Sequence, residues 1–166
     1  MAVEIERMRL LTLEELEPGT IVYDVRAGRP STRLVVVDGG REVAGKLLLA
    51  LSGERPFHGQ LIPDQGVALL PATVPRDVLI ELGEEFCAVA DDFARSKLSI
   101  STEGAFVAVE WETSSGQPGA AYLDLRSWAL VGDPGTDIRS FDQWSLIATG
   151  LGDKEWVLAR MVSGRA

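Results

Sequence analysis

The sequence predicts an α+β fold: an N-terminal antiparallel, small barrel-like β part, followed by a helix, an antiparallel β-meander, a short helix and a final strand. Three observations lead there. Short apolar runs separated by turn residues fill the chain up to about residue 70. Apolar residues recur at helical spacing between Pro75 and Arg95. Alternation of apolar and polar residues then returns, in the half that holds Trp111, Trp128, Trp144 and Trp156. A boundary near Pro71–Pro75 divides the chain into an antiparallel β subdomain over 1–72 and an α+β subdomain over 73–166, unless the two run together as one domain.

The N-terminal part begins with Thr12-Leu13-Glu14-Glu15, whose capping-box spacing predicts a single helical turn ended by Pro18-Gly19. Ile21 to Val25 reads as a strand, Ala27 to Pro30 as a turn, and Arg33 to Asp38 as a second, valine-rich strand. Val43, Gly45, Leu47, Leu49 and Leu51 alternate along a third strand. Phe57 to Ile62 and Val67 to Leu70 flank the turn Pro63-Asp64-Gln65-Gly66. Strands this closely spaced suit an antiparallel sheet that curls toward a barrel.

The predicted helix places Leu79, Leu82, Phe86, Val89, Ala90 and Phe93 on one face. At about 100° per residue, Asp77, Glu81, Glu84, Glu85, Asp91 and Asp92 fall within an arc of roughly 120° on the other. Leu82, Phe86 and Phe93 are expected to be buried; Glu81, Glu84 and Asp92 are expected to be exposed. A surface helix carries charge on its solvent face in any case. Like charges four residues apart nevertheless repel, and the only bases, Arg76 and Arg95, stand at the ends. The six carboxylates are therefore the candidate partner-binding residues.

Beyond the helix, Leu98 and Ile100, then Val107, Val109 and Trp111, alternate as strands around a Thr102-Glu103-Gly104 hairpin loop. A loop at 114–118 leads to strands at Ala120–Leu125 and Trp128–Val131, closed by the turn Gly132-Asp133-Pro134-Gly135. Ser140 and Gln143 have capping-box spacing and predict a short helix over Phe141–Thr149, stopped by Gly150. Glu155 to Val162 is the final strand. The tryptophans place the main core in this half. No internal repeat is visible.

Charge narrows the function. The 166 residues carry a net charge of −9. Residues 1–60 hold 9 acids and 8 bases, residues 61–95 hold 7 and 2, and residues 96–166 hold 9 and 6, so the imbalance centres on the predicted helix. Such a surface repels nucleic acid and anionic membranes and attracts basic proteins and cations. Cys87 is the only cysteine and no apolar run reaches the length of a membrane span, so a cytoplasmic protein is expected. Arginine outnumbers lysine 13 to 3 and asparagine is absent, a composition that fits a GC-rich bacterial genome.

One stretch nearly matches a catalytic motif. Gly40, Gly45 and Lys46 follow the apolar run Leu34–Asp38 as G-x-x-x-x-G-K, the body of a phosphate-binding P-loop. Leu47 stands where a magnesium-holding hydroxyl is needed, and Asp38-Gly39 is a hairpin signal, so Lys46 is expected on a strand. His58 and Cys87 show no pairing in the sequence, and one histidine with one cysteine lacks the usual zinc ligands. No catalytic, cofactor-binding or metal-binding residue is assigned. The expectation is a non-catalytic acidic binding protein of the immunity or antitoxin type, docking a basic protein partner. Nucleotide or phosphate binding at 40–46 and cation binding on the acidic ridge are the alternatives.

Overall fold

The computed structural model describes residues 12–24, 32–53, 55–60, 69–73, 77–83, 88–113, 115–149 and 155–162. A single 3-10 turn, Leu13–Glu15, opens them; the Glu15 carboxylate accepts the Thr12 backbone N–H at 2.9 Å, as its capping-box spacing predicts. The strands are β1 (Ile21–Asp24), β2 (Thr32–Asp38), β3 (Lys46–Ala50), β4 (His58–Gln60), β5 (Leu69–Thr73), β6 (Asp77–Leu82), β7 (Leu98–Ile100), β8 (Ala105–Glu112), β9 (Pro118–Asp124), β10 (Ala129–Val131), β11 (Arg139–Phe141), β12 (Trp144–Thr149) and β13 (Glu155–Met161).

Six of these strands close a barrel in the order β2-β3-β4-β8-β9-β10. Four of its pairings are antiparallel; β4–β8 and β10–β2 are parallel. β2 to β4 precede residue 72 and β8 to β10 follow it, so both stretches of chain contribute three strands to one barrel. Strands β6, β12 and β13 form a separate antiparallel sheet in the order β13-β12-β6.

The barrel contains the same unit twice. β1 pairs antiparallel with the first part of β2, as β7 does with the first part of β8. Each long strand then forms a hairpin with the next, β2 with β3 and β8 with β9. Each fourth strand crosses to the other unit: His58 of β4 aligns with Glu110 of β8, and Ala129 of β10 aligns with Asp38 of β2. β5 covers β1 and β11 covers β7. β6 and β12, which follow, pair with each other. The loop hydrogen bonds repeat too. Gly19 N–H donates to the Val36 carbonyl and Ser96 N–H to the Ala108 carbonyl; Leu51 N–H donates to Arg33 and Leu125 N–H to Ala105. A pseudo-twofold duplication thus underlies a chain whose sequence shows no repeat. Hydrogen-bond pattern and inward apolarity are retained while side-chain identities differ.

The predicted α+β class is corrected: among the described residues the regular elements are all β-strands, apart from the 3-10 turn. The proposed helix over 76–95 begins instead as β6. Val78, Ile80 and Leu82 pack toward the core, whereas Leu79 and Glu81 are exposed. Asp77–Leu82 satisfies a period of two as well as a helical period, and pairing along all six residues with β12 decides between them. The second proposed helix, Phe141–Thr149, is likewise the end of β11 and β12. Trp144, Leu146 and Ala148 face inward there, and Ser140 is buried within β11 rather than capping a helix. The turns proposed at Ala27–Pro30 and Pro63–Gly66 lie outside the described residues, as do Glu84, Glu85, Phe86 and Cys87.

The core is also shared, not confined to the C-terminal half. Ile21, Val35, Leu47, Leu49 and Phe57 pack in one buried cluster with Leu98, Val107, Trp111, Leu123 and Trp144. Phe57 and Trp144 stack with centroids 5.5 Å apart. A second cluster lies on the outer face of β2 and β3, where Leu16 covers Val22, Leu34, Val36 and Leu48. Arg33 ties β13 to the barrel by donating to the Val157 carbonyl at 2.6 Å and the Leu158 carbonyl at 3.3 Å.

Candidate functional site

Each lysine within the described residues holds down a segment that leads into the barrel. The Lys46 ammonium donates to the carbonyls of Glu14 at 3.0 Å and Leu16 at 2.6 Å. Lys97 donates to the carbonyls of Ala90 and Asp92, both at 2.8 Å, and pairs with the Asp92 carboxylate. These contacts answer the P-loop question. Asp38 faces Lys46 across a hairpin, Gly39 N–H donates to the Gly45 carbonyl at 2.8 Å, and Lys46 begins β3 with its ammonium engaged by the lead-in segment. The strand–loop–helix arrangement that wraps a nucleotide phosphate is not formed.

The four predicted partner-binding carboxylates within the described residues do not lie on one helix face. Asp77 and Glu81 belong to β6. Asp91 and Asp92 lie in the irregular segment 90–94, anchored by a bridge between Val89 and Ser140. Both are exposed, and Asp91 accepts a hydrogen bond from the Ser140 hydroxyl at 3.2 Å. Glu84 and Glu85 are outside the described residues.

A different acidic surface forms around the turn between β10 and β11. Asp133 accepts the Gly135 N–H at 2.9 Å, fixing the turn that the Gly-Asp-Pro-Gly spacing predicts. Glu42 of the β2–β3 loop reaches Gly132, its Oε1 lying 3.0 Å from where a Cβ would stand. Glu103 of the β7–β8 loop reaches Gly135 in the same manner, its carboxyl carbon at 2.9 Å. Asp91 and Asp133 both act on Tyr122. Burial first, and then these two negative charges, hold the Tyr122 hydroxyl above its ordinary pKa.

Tyr122 carries the aromatic part of this surface. The Phe93 and Tyr122 rings meet edge to face, with centroids 5.5 Å apart and ring planes at 77°. Phe93 is 39% exposed and Tyr122 is partly exposed. Sequence periodicity places Phe93 on a buried helix face, and the Gly132–Gly135 spacing gives Asp133 a role in a turn. The signal that unites them, the register of β9 against β8 and β10, arises only in the folded barrel.

Comparison with family models, with curated proteins and with solved structures finds no match to this chain.

His58 neighbours Glu110 across the parallel β4–β8 pair, and Arg95 lies 3.6 Å from the Glu110 carboxylate. His58 Nδ1 and Arg95 Nε are buried, with no hydrogen-bond partner among the described residues. A cleft of about 390 Å³ lies at one end of the three-stranded sheet, between Glu81 and Arg160. Among the described residues no three His, Cys, Asp or Glu side chains converge as metal ligands would, and no helix is long and apolar enough to cross a membrane.

Proposed function

We propose that the protein is a non-catalytic binding protein that docks a basic protein partner through the surface around the β10–β11 turn. The observation that carries this reading is the assembly of Glu42, Asp91, Glu103 and Asp133, from four separate segments, beside the half-exposed Phe93–Tyr122 pair. All four acids are exposed. Exposed carboxylates separated in this way repel weakly in water but sum to a potential that steers a cationic surface. The aromatic pair supplies apolar area at its edge, as interface cores do. An immunity or antitoxin role would use such a surface against a basic toxin, and the net charge of −9 extends the attraction over the whole molecule.

The test begins with chemical cross-linking in the source cell to identify the partner. Association rates are then measured at low and high salt for the wild type and for Asp91→Lys/Asp133→Lys. The double reversal is expected to slow association at least tenfold at low salt and to flatten its salt dependence. A partner that associates equally fast with both proteins at both salts removes this surface as the docking site.

A further inference from the structure

The internal duplication gives each outer-face residue a counterpart, and one pair of counterparts differs in kind. Leu16 stands three residues before Gly19, and Phe93 three before Ser96; Gly19 and Ser96 make equivalent backbone hydrogen bonds to β2 and β8. Leu48 is the cross-strand partner of Val36, and Tyr122 that of Ala108. The Leu16–Leu48 pair of the first unit therefore corresponds to the Phe93–Tyr122 pair of the second. The first is sealed, at 4% and 0% exposure; Phe93 of the second is 39% exposed. An aliphatic pair suffices to close this position, as the first unit shows. In the second unit the position holds two rings nearly at right angles, left open, with carboxylates on the adjoining segments.

We propose that the Phe93–Tyr122 corner is a seat for the ammonium end of a lysine side chain on the basic partner. Two rings near 77° form adjoining walls, and the face of each ring is the negative end of its quadrupole, so an alkylammonium placed in the corner is attracted to both. The lysine stem covers Phe93 while Asp91 and Asp133 neutralise the charge. A strongly hydrated ammonium is held in this way at a partly open site without full desolvation. This inference rests on the docking surface proposed above and adds the side chain it recognises.

The experiment uses the full chain and two probes. Tetramethylammonium chloride tests the seat and a tetralysine peptide tests the surface, both followed by the NMR signals of the Phe93 and Tyr122 rings. The variants are Phe93→Leu/Tyr122→Leu, which installs the aliphatic pair of the other unit, and Asp91→Asn/Asp133→Asn. Circular dichroism and the Trp144 indole signal report folding. Tetramethylammonium is expected to shift the wild-type ring signals saturably, with sodium chloride at equal strength giving no such shift. Tetralysine is expected to bind the leucine variant at least tenfold more weakly than the wild type. Unmoved ring signals with tetramethylammonium overturn the seat, as does tetralysine affinity equal in the wild type and the leucine variant. In the latter case, loss of tetralysine binding only in the Asn variant leaves the acidic surface standing without the seat. Tetramethylammonium binding without tetralysine binding overturns both the lysine seat and the basic-partner reading.

Discussion

Phe57 and Trp128 occupy one structural position twice. Each is a buried aromatic residue with a left-handed backbone, φ 58° at Phe57 and 56° at Trp128. Each stands at the start of the strand that crosses to the other unit, and each offers its carbonyl to that unit: Phe57 to the Glu110 N–H at 3.3 Å and Trp128 to the Asp38 N–H at 2.9 Å. Left-handed backbone is costly for a residue with a Cβ, and here it turns the chain out of one hairpin and into the opposite one. The barrel is closed at these two points.

Phe57→Ala is expected to destabilise the protein by about 3–5 kcal/mol, because the ring is fully buried and stacks on Trp144. Phe57→Gly removes the same ring but relieves the left-handed strain, so it is expected to be the less destabilising of the two. Urea denaturation of both variants measures the difference. Alanine matching or exceeding glycine in stability contradicts the strain assigned to this position.

Lys46→Met keeps the apolar stem and removes two charge-assisted hydrogen bonds to the Glu14 and Leu16 carbonyls. A loss of about 1.5–3 kcal/mol is expected, with faster amide exchange confined to residues 13–17 and to their contacts on Leu34 and Leu48. Calorimetric titration with ATP is expected to show no saturable binding to the wild type. Saturable binding abolished by Lys46→Met restores the phosphate-site reading of residues 40–46.

Among the described residues, Asp92 and Tyr122 are held away from their ordinary values, in opposite directions. Hydrogen bonding from Lys97, and then its charge, hold the Asp92 carboxyl below 3.8. A depressed acid contributes stability above its unfolded pKa and loses it as pH falls through the folded one. Lys97→Met is therefore expected to raise the Asp92 pKa toward 3.8, and the stability gap between variant and wild type is expected to narrow in strong acid without closing, because the hydrogen bonds from Lys97 to the Ala90 and Asp92 carbonyls do not depend on the Asp92 charge. Tyr122 lies above 10.0, through burial first and then through Asp91 and Asp133. A raised group contributes stability below its unfolded pKa and loses it as pH rises through the folded one. Asp133→Asn is expected to lower the Tyr122 pKa only in part, since burial remains. NMR titration of the two side chains checks both directions; a Tyr122 pKa unchanged by Asp91→Asn and by Asp133→Asn separates it from those carboxylates.

Most strand positions are legible in the sequence, because alternation and turn chemistry are local. The 3-10 turn at Leu13, the β2–β3 hairpin with Lys46 on its second strand, the β7–β8 loop and the Gly132–Gly135 turn all follow from residues within a few positions of one another. Its misreading of Asp77–Leu82 and Phe141–Thr149 has one cause. Both segments fit two periods, and each gains its strand form from the other, across more than sixty residues of chain. Tertiary structure alone decided what joins to what. The crossings of β4 to β8 and β10 to β2 are parallel contacts between distant segments, and no local pattern encodes them. The duplication stayed hidden for the same reason: backbone hydrogen bonding carries it, and Leu16 or Phe93, Leu48 or Tyr122, serve the same backbone equally well. The acidic surface beside Tyr122 depends on that register too. Its carboxylates come from four separate segments, and only the folded barrel brings Glu42, Glu103 and Asp133 to one turn and Asp91 within electrostatic reach of Tyr122.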